Sequence, residues 1–165
     1  MARQLALFEK AGSYAQTKEK VYRVQVVRLQ MVREASLATY VRTIGTPADV
    51  ADLVRPLLEG ADREHFLVLC LDTKNRVSAI HTVSVGTLNS SPVHPREVFK
   101  AAILANAASV ILAHNHPSGD PEPSRDDREV TARLVECGKI LGIGLLDHVV
   151  LGEGRFYSLK EAGLL

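Results

Sequence analysis

The stretch SVILAHNHPSGDPEPSRDD, residues 109–127, joins an apolar run to a polar loop. An almost wholly apolar run of this length predicts a short strand, over residues 109–116, in the middle of a sheet that is covered on both faces. Side chains at positions i and i+2 of a strand project from one face, so His114 and His116 point the same way and Asn115 points to the other face. Two imidazoles presented in this way are suited to hold one metal ion.

The chain resumes as a helix after this loop, and Ser124 is its predicted N-cap. Asp127 then lies in the first turn, where the free backbone amides also favour negative charge. Two neutral imidazoles and one carboxylate suit zinc, and three protein ligands leave a fourth position for water, as in catalytic zinc sites. Asp120 and Asp126 are the alternatives to Asp127 as the third ligand, and Ser124 and Asp127 also fit a purely structural capping pattern.

The rest of the sequence predicts alternating helices and strands, which together define a mixed α/β layered domain. The predicted strands are a bulged strand over 21–32, antiparallel strands over 65–72 and 77–86, and a closing hairpin over 144–160. The first two predicted helices run from Thr46 or Pro47 to Gly60, with a kink or early stop at Pro56, and from His94 or Pro95 to about Ala107. The helix from Ser124 to about Leu141 has its apolar positions at Val130, Leu134, Val135 and Ile140.

Length and composition describe an ordinary globular protein. The chain has 165 residues, 46% of them hydrophobic and 24% charged, which fits one domain with a short appendage. A formal net charge of +1 gives no general attraction to nucleic acids or anionic membranes. Cys70 and Cys137 are expected to be reduced core residues. The absence of a signal-peptide pattern or a long apolar run in the sequence predicts a cytoplasmic protein, and oligomeric state has no signature in it.

Four further histidines have simpler explanations than metal binding. His94 is expected at a helix start, and His65 and His81 within strands. His148, in LLDHVV, is expected to be a buried histidine that can hydrogen-bond a metal ligand.

The run HNHPSGDPEPSRDD resembles the JAMM or MPN+ signature, in which HxH is followed, after seven intervening residues, by SxxD. The wider run TLNSSPVHPREVFKAAILANAASVILAHNHPSGDPEPS, residues 87–124, is similar to the bacterial RadC family. The resemblance covers residues 43–165. It implies an MPN domain over residues 43–165, and the alternating pattern over 21–32 makes residues 1–42 an N-terminal arm with one bulged strand. The implied fold is a mixed, curved sheet sandwiched by helices, as in the layered architecture of cytidine deaminases.

The resemblance also implies roles for individual residues. His114, His116 and Asp127 would bind one zinc ion per chain, Ser124 would help to stabilise an oxyanion, and Glu64 would act as the general base. The implied activity is that of a zinc metallopeptidase, in which an activated water attacks a peptide or isopeptide bond of a protein substrate.

A second hypothesis is a DNA-associated accessory or protein-binding module of the RadC type that has no robust peptidase activity. Residues 1–42 do not resemble the helix-hairpin-helix region of full-length RadC proteins. The segment from Lys18 to Arg33 is locally basic, which predicts at most a weak contact with nucleic acid.

Overall fold

The computed structural model of the protein describes residues 22–58, 60–86 and 93–165. From residue 46 onward, the elements of the described part of the chain follow the predicted order. They are α1 (Pro47–Leu58), β1 (His65–Leu71), β2 (Val77–Val85), α2 (Pro95–Leu104), β3 (Ser109–Asn115), α3 (Arg125–Leu141), β4 (Gly144–Leu151) and β5 (Phe156–Ser158). Residues 1–20 of the predicted N-terminal arm, the first residue of the predicted bulged strand and residues 87–92 of the RadC-like run lie outside the described residues.

The five strands form one mixed sheet in the order β2-β1-β3-β4-β5. The central strand, β3, is antiparallel to β1 and parallel to β4, whereas β1 and β2, like β4 and β5, are antiparallel pairs. Every residue of β3 is buried. This agrees with the continuous apolar run of its sequence, and it places His114 near the carboxyl end of the central strand, between β1 and β4.

Alternation along the strands separates two hydrophobic cores. On one face, Leu67, Leu69 and Leu71 of β1 pack with the apolar face of α1. On the other face, Phe66, Val68 and Cys70 pack with residues of α2 and α3. The sheet therefore lies between helices on both of its faces, as the α/β prediction requires. His114 lies two residues beyond Leu112, on the face covered by α2 and α3.

The helices begin at the polar residues that the sequence singled out. Asp49 accepts a hydrogen bond from the Thr46 backbone amide at 2.7 Å, and its own amide donates to the Thr46 hydroxyl at 3.3 Å. In α3, Ser124 and Asp127 form the reciprocal capping box, and Gly142 ends the helix in a left-handed conformation with φ 69°. The first turn of α3, which carries Asp127, is thus fixed by its own sequence.

Three details of the sequence-based prediction are wrong. Residues 22–32 form no strand and their apolar side chains are exposed, because alternation permits a strand but only a paired neighbour fixes it. The helix α2 ends at Leu104 rather than near Ala107, since Asn106 adopts φ 51°. Ile140 is exposed, and the buried stripe of α3 instead includes Thr131 and Gly138.

Two smaller predictions are also tested. Cys70 and Cys137 are both free, and Cys70 is buried whereas Cys137 is half-buried. None of the helices found in the described residues is long and apolar enough to cross a membrane.

Candidate metal centre

Three predicted ligands meet at the carboxyl end of β3. His114 Nε2 lies 3.0 Å from His116 Nε2 and 3.3 Å from Asp127 Oδ1, and His116 Nε2 lies 3.5 Å from Asp127 Oδ2. Two ligand atoms bound to one tetrahedral zinc ion at about 2.0–2.2 Å are roughly 3.3 Å apart. The spacing and the chemistry of this donor set therefore fit a single zinc ion.

Both imidazoles use their other ring nitrogen for a hydrogen bond within the protein. His116 Nδ1 donates to the Asp120 carbonyl oxygen at 2.7 Å, since a carbonyl can only accept. His114 Nδ1 lies 2.8 Å from Nε2 of the buried His148. The Nε2 atoms of both predicted ligands are therefore the ones turned toward Asp127, and the rings are held in place from behind.

Asp127 reaches the two histidines from the first turn of α3. Its Oδ2 accepts hydrogen bonds from the Ser124 backbone amide at 2.8 Å and from the Ser124 hydroxyl at 2.6 Å. The capping and ligand interpretations of the SxxD pattern are thus compatible, because the cap fixes the carboxylate while Oδ1 faces His114. The two alternatives, Asp120 and Asp126, are not members of the histidine cluster, which among the described residues consists of His114, His116 and Asp127.

The electrostatics of the cluster favour a cation. Burial by itself raises the pKa of Asp127, but its contacts with His114 and His116 and the hydrogen bond from Ser124 outweigh burial and hold that pKa well below its usual range. The hydrogen bond to Asp127 raises the pKa of His116 against the effect of desolvation, and the charge of Glu64 makes a smaller contribution in the same direction. The negative charges of Asp127 and Glu64 thus favour a positive charge at His116, and they would also favour a bound metal cation.

Glu64, the predicted base, is half-buried and directly precedes β1. The backbone on either side of it is held by Asn115: the His65 amide donates to Asn115 Oδ1 at 2.8 Å, and Asn115 Nδ2 donates to the Arg63 carbonyl at 2.9 Å. The Gly86 amide also donates to the Glu64 carbonyl at 2.8 Å. The middle residue of the HNH triplet, which points away from the histidines, therefore fixes the segment that carries Glu64.

His148 and Thr131 lie behind the cluster. Both side chains are fully buried, and Thr131 Oγ1 is 2.6 Å from His148 Nδ1. Phe66 stacks on the His114 ring with a centroid distance of 5.6 Å and an interplanar angle of 13°. The prediction for His148 is confirmed. Thr131 was missed, although a polar residue one turn after Asp127, in line with apolar Leu134, is a signal that the sequence did contain.

The other three histidines also lie where the sequence predicted. His94 caps α2 by accepting a hydrogen bond from the Arg96 amide, and His65 and His81 lie in strands.

A cleft of about 620 Å³ opens beside His116. It is lined by the C-terminal half of α1, by the loop after β3 from Pro117 to Gly119, and by the turn after β4 from Gly152 to Gly154. The side chains of His116 and Asp127 are 13% and 17% exposed, whereas that of His114 is 2% exposed. The cluster is therefore reached from solvent on the His116 and Asp127 side.

These features define a class of protein, an α/β domain that presents a histidine-histidine-aspartate cluster at the end of its central strand. The RadC-like JAB domain family model matches residues 44–164, so the chain belongs to that family. It is 56% identical over 144 residues to a UPF0758 protein of Rubrobacter xylanophilus, covering 86% of this chain and 63% of that protein. It is 59% identical over 122 residues to a UPF0758 protein of Desulforamulus reducens, covering 74% and 54%. The chain thus spans somewhat more than half the length of these curated relatives.

Proposed function

We propose that the protein is a zinc-dependent hydrolase of the JAMM type that cleaves a peptide or isopeptide bond. The observation that carries the proposal is the cluster of two Nε2 atoms and one carboxylate at distances that fit a single tetrahedral ion. Three ligands leave one position open, which is the mark of a catalytic site. Membership of the RadC-like JAB domain family supports the same reaction class.

His114, His116 and Asp127 would hold the ion. A zinc ion held there would supply Lewis-acid chemistry, since it would polarise a carbonyl group and lower the pKa of water toward about 7. The protein must still accept a proton from the attacking water and return it to the leaving amine. Glu64 is suited to this task, because its charge helps to raise the pKa of His116 and its backbone is fixed by Asn115.

Ser124 is the candidate donor to the oxyanion that develops on the substrate carbonyl. Its hydroxyl donates to Asp127 Oδ2 in this structure. A role in catalysis therefore requires the hydroxyl to turn from Asp127 toward the substrate. The backbone half of the capping box, in which the Ser124 amide donates to the same oxygen, does not depend on the hydroxyl proton and can hold Asp127 meanwhile.

The cleft beside His116 is where we expect the polypeptide substrate to bind. Its volume of about 620 Å³ lies within the range of about 300–1,000 Å³ typical of ligand sites.

The test is a cleavage screen with the zinc-loaded protein on a peptide and isopeptide library, with Glu64→Gln as the diagnostic variant. This variant should retain zinc, because Glu64 is not a ligand, while cleavage falls by about 10²–10⁴-fold. Glu136→Gln, which changes an exposed acid on α3, serves as the matched control and should cleave normally. Loss of zinc from Glu64→Gln would withdraw the base role, and no cleavage of any substrate by the zinc-loaded protein would contradict the proposal.

A further inference from the structure

We infer that Thr131 and His148 are positioning residues that fix the ring tautomer of His114, so that its Nε2 carries a lone pair toward the metal position. The inference rests on the proposed metal site and deepens it. It concerns a hydrogen-bonded circuit in which His148 and Thr131 connect one predicted ligand, His114, to the backbone of another, Asp127.

The donor and the acceptor of each hydrogen bond in this circuit follow from the number of protons available. The Thr131 hydroxyl lies 2.5 Å from the Asp127 carbonyl oxygen, which can only accept, so the single hydroxyl proton must lie between these two oxygens. The Thr131 oxygen is then left as the acceptor in its contact of 2.6 Å with His148 Nδ1. His148 must therefore carry its proton on Nδ1.

The next step assigns the proton between the two histidines. His148 is fully buried, and its ring nitrogens contact Thr131 and His114 rather than a carboxylate, so a charged ring would be desolvated without an anionic partner. A neutral His148 with its proton on Nδ1 has a bare Nε2. Since that atom lies 2.8 Å from His114 Nδ1, the proton between the rings must belong to His114.

A neutral His114 with its proton on Nδ1 has its lone pair on Nε2, which faces His116 and Asp127. The opposite tautomer would bring two lone pairs together at 2.8 Å. Packing supports the same geometry, because Phe66 contacts both rings, stacking on His114 and meeting His148 edge-on with a centroid distance of 5.3 Å. The circuit therefore selects the ligand form of His114 before any metal binds.

The circuit also connects the two ligands to each other. Thr131 lies one helical turn after Asp127, so its hydroxyl bond to the Asp127 carbonyl ties the start of α3 to β4 through His148. A change in this link should alter both the tautomer of His114 and the distance between His114 and Asp127. Metal affinity is the property that responds to both of these changes.

The experiment compares Thr131→Val with Thr131→Ser. Valine keeps the shape of threonine but removes the hydroxyl, whereas serine keeps the hydroxyl and loses a methyl group from a buried position. We expect the zinc affinity of Thr131→Val to fall by about 10–100-fold, the usual effect of removing an outer hydrogen-bond partner of a metal ligand. The affinity of Thr131→Ser should stay near that of the wild type, even though its packing is poorer. A purely structural role for Thr131 would not separate the two variants in this way.

Nitrogen-15 NMR of the imidazole rings provides a second readout on the metal-free protein at mildly alkaline pH. The wild type should show His114 protonated on Nδ1, and Thr131→Val should show a mixture of tautomers. Equal zinc affinities of the two variants, or a wild-type His114 protonated on Nε2, would overturn the inference. A protein that binds zinc but cleaves nothing would contradict the proposed hydrolase alone. A protein that binds no zinc would contradict the metal site, and the metal-free NMR spectrum would still decide the circuit.

Discussion

Gly152 is the position at which one added methyl group should disturb both stability and the metal centre. It follows β4 and faces the loop that carries His116. A Cβ atom at Gly152 would lie 2.7 Å from Pro121 Cδ and 2.9 Å from Pro121 N, and it would overlap the Gly119 carbonyl oxygen. Most of these neighbours are backbone atoms, so the loop from Gly119 to Pro121 must shift if Gly152 is replaced by alanine.

The magnitude follows from two opposing effects. Overpacking a tight contact lowers the free energy of unfolding by about 1–3 kcal/mol. Alanine also restricts the unfolded chain more than glycine does, which raises the free energy of unfolding by about 0.4–1 kcal/mol. We therefore expect Gly152→Ala to lower the free energy of unfolding by about 1–2 kcal/mol. In a protein of this size each kcal/mol corresponds to about 2–4 °C in Tm.

The same shift should weaken metal binding. His116 Nδ1 donates to the carbonyl of Asp120, which lies inside the displaced loop, and the Glu153 amide donates to the Gly119 carbonyl at 2.9 Å. Displacing Asp120 removes the group that orients the His116 ring, so zinc affinity should fall by about tenfold or more.

The assays are urea unfolding and zinc titration, with Gly144→Ala as the matched control. Gly144 lies at the opposite end of β4, and a Cβ atom there would have no neighbour within 4 Å. The control should keep wild-type zinc affinity and equal or slightly exceed wild-type stability. If Gly152→Ala behaves like Gly144→Ala in both assays, the contact between Gly152 and the loop from Gly119 to Pro121 does not hold the metal centre in place.

Three further predictions concern the helix cap, an exposed ion pair and nucleic acid. Ser124→Ala should lower the free energy of unfolding by about 1 kcal/mol through loss of the N-cap, and unchanged urea unfolding would contradict the role of the capping box. The hydrogen bonds and charge of Arg76 lower the pKa of Asp72 from its ordinary value of 3.8 to about 2. Asp72→Asn should therefore be less stable than the wild type above about pH 4, and the difference should vanish as the pH falls toward 2. A pH-independent difference in urea unfolding would contradict this prediction. Duplex DNA should bind no more tightly than about 10⁻⁴–10⁻⁶ M at physiological salt, and tight binding that disappears on removal of residues 18–33 would instead favour a DNA-associated function.

Local signals in the sequence were sufficient for the elements from residue 46 onward and for the positions of His114, His116 and Asp127. The two-residue period of a strand placed His114 and His116 on one face, and the SxxD pattern placed Asp127 in the first turn of a capped helix. Each of these inferences depends on residues that are close in sequence. Chain geometry alone therefore brings the three donors to one end of the sheet once the helix packs against it.

Other features depend on tertiary pairing, which has no local signature. The parallel register that aligns Leu112 with His148 brings His148 against His114, and the sequence does not specify this pairing. Residues 22–32 alternate like a strand but do not form one, so the pattern was misleading there. The polar residue at position 131 is visible in the helical pattern, but the role of the Thr131 hydroxyl arises only after α3 meets β4.

Zinc content is the most direct test of the account. Protein purified without chelator, or reconstituted with zinc and desalted, should contain about one equivalent of zinc per chain. His116→Ala should lose most of it, while His81→Ala, which replaces an exposed histidine in β2, should keep it. A wild-type protein that takes up no zinc, or a His116→Ala variant with unchanged zinc content, would contradict the assignment of His114, His116 and Asp127 as a metal site.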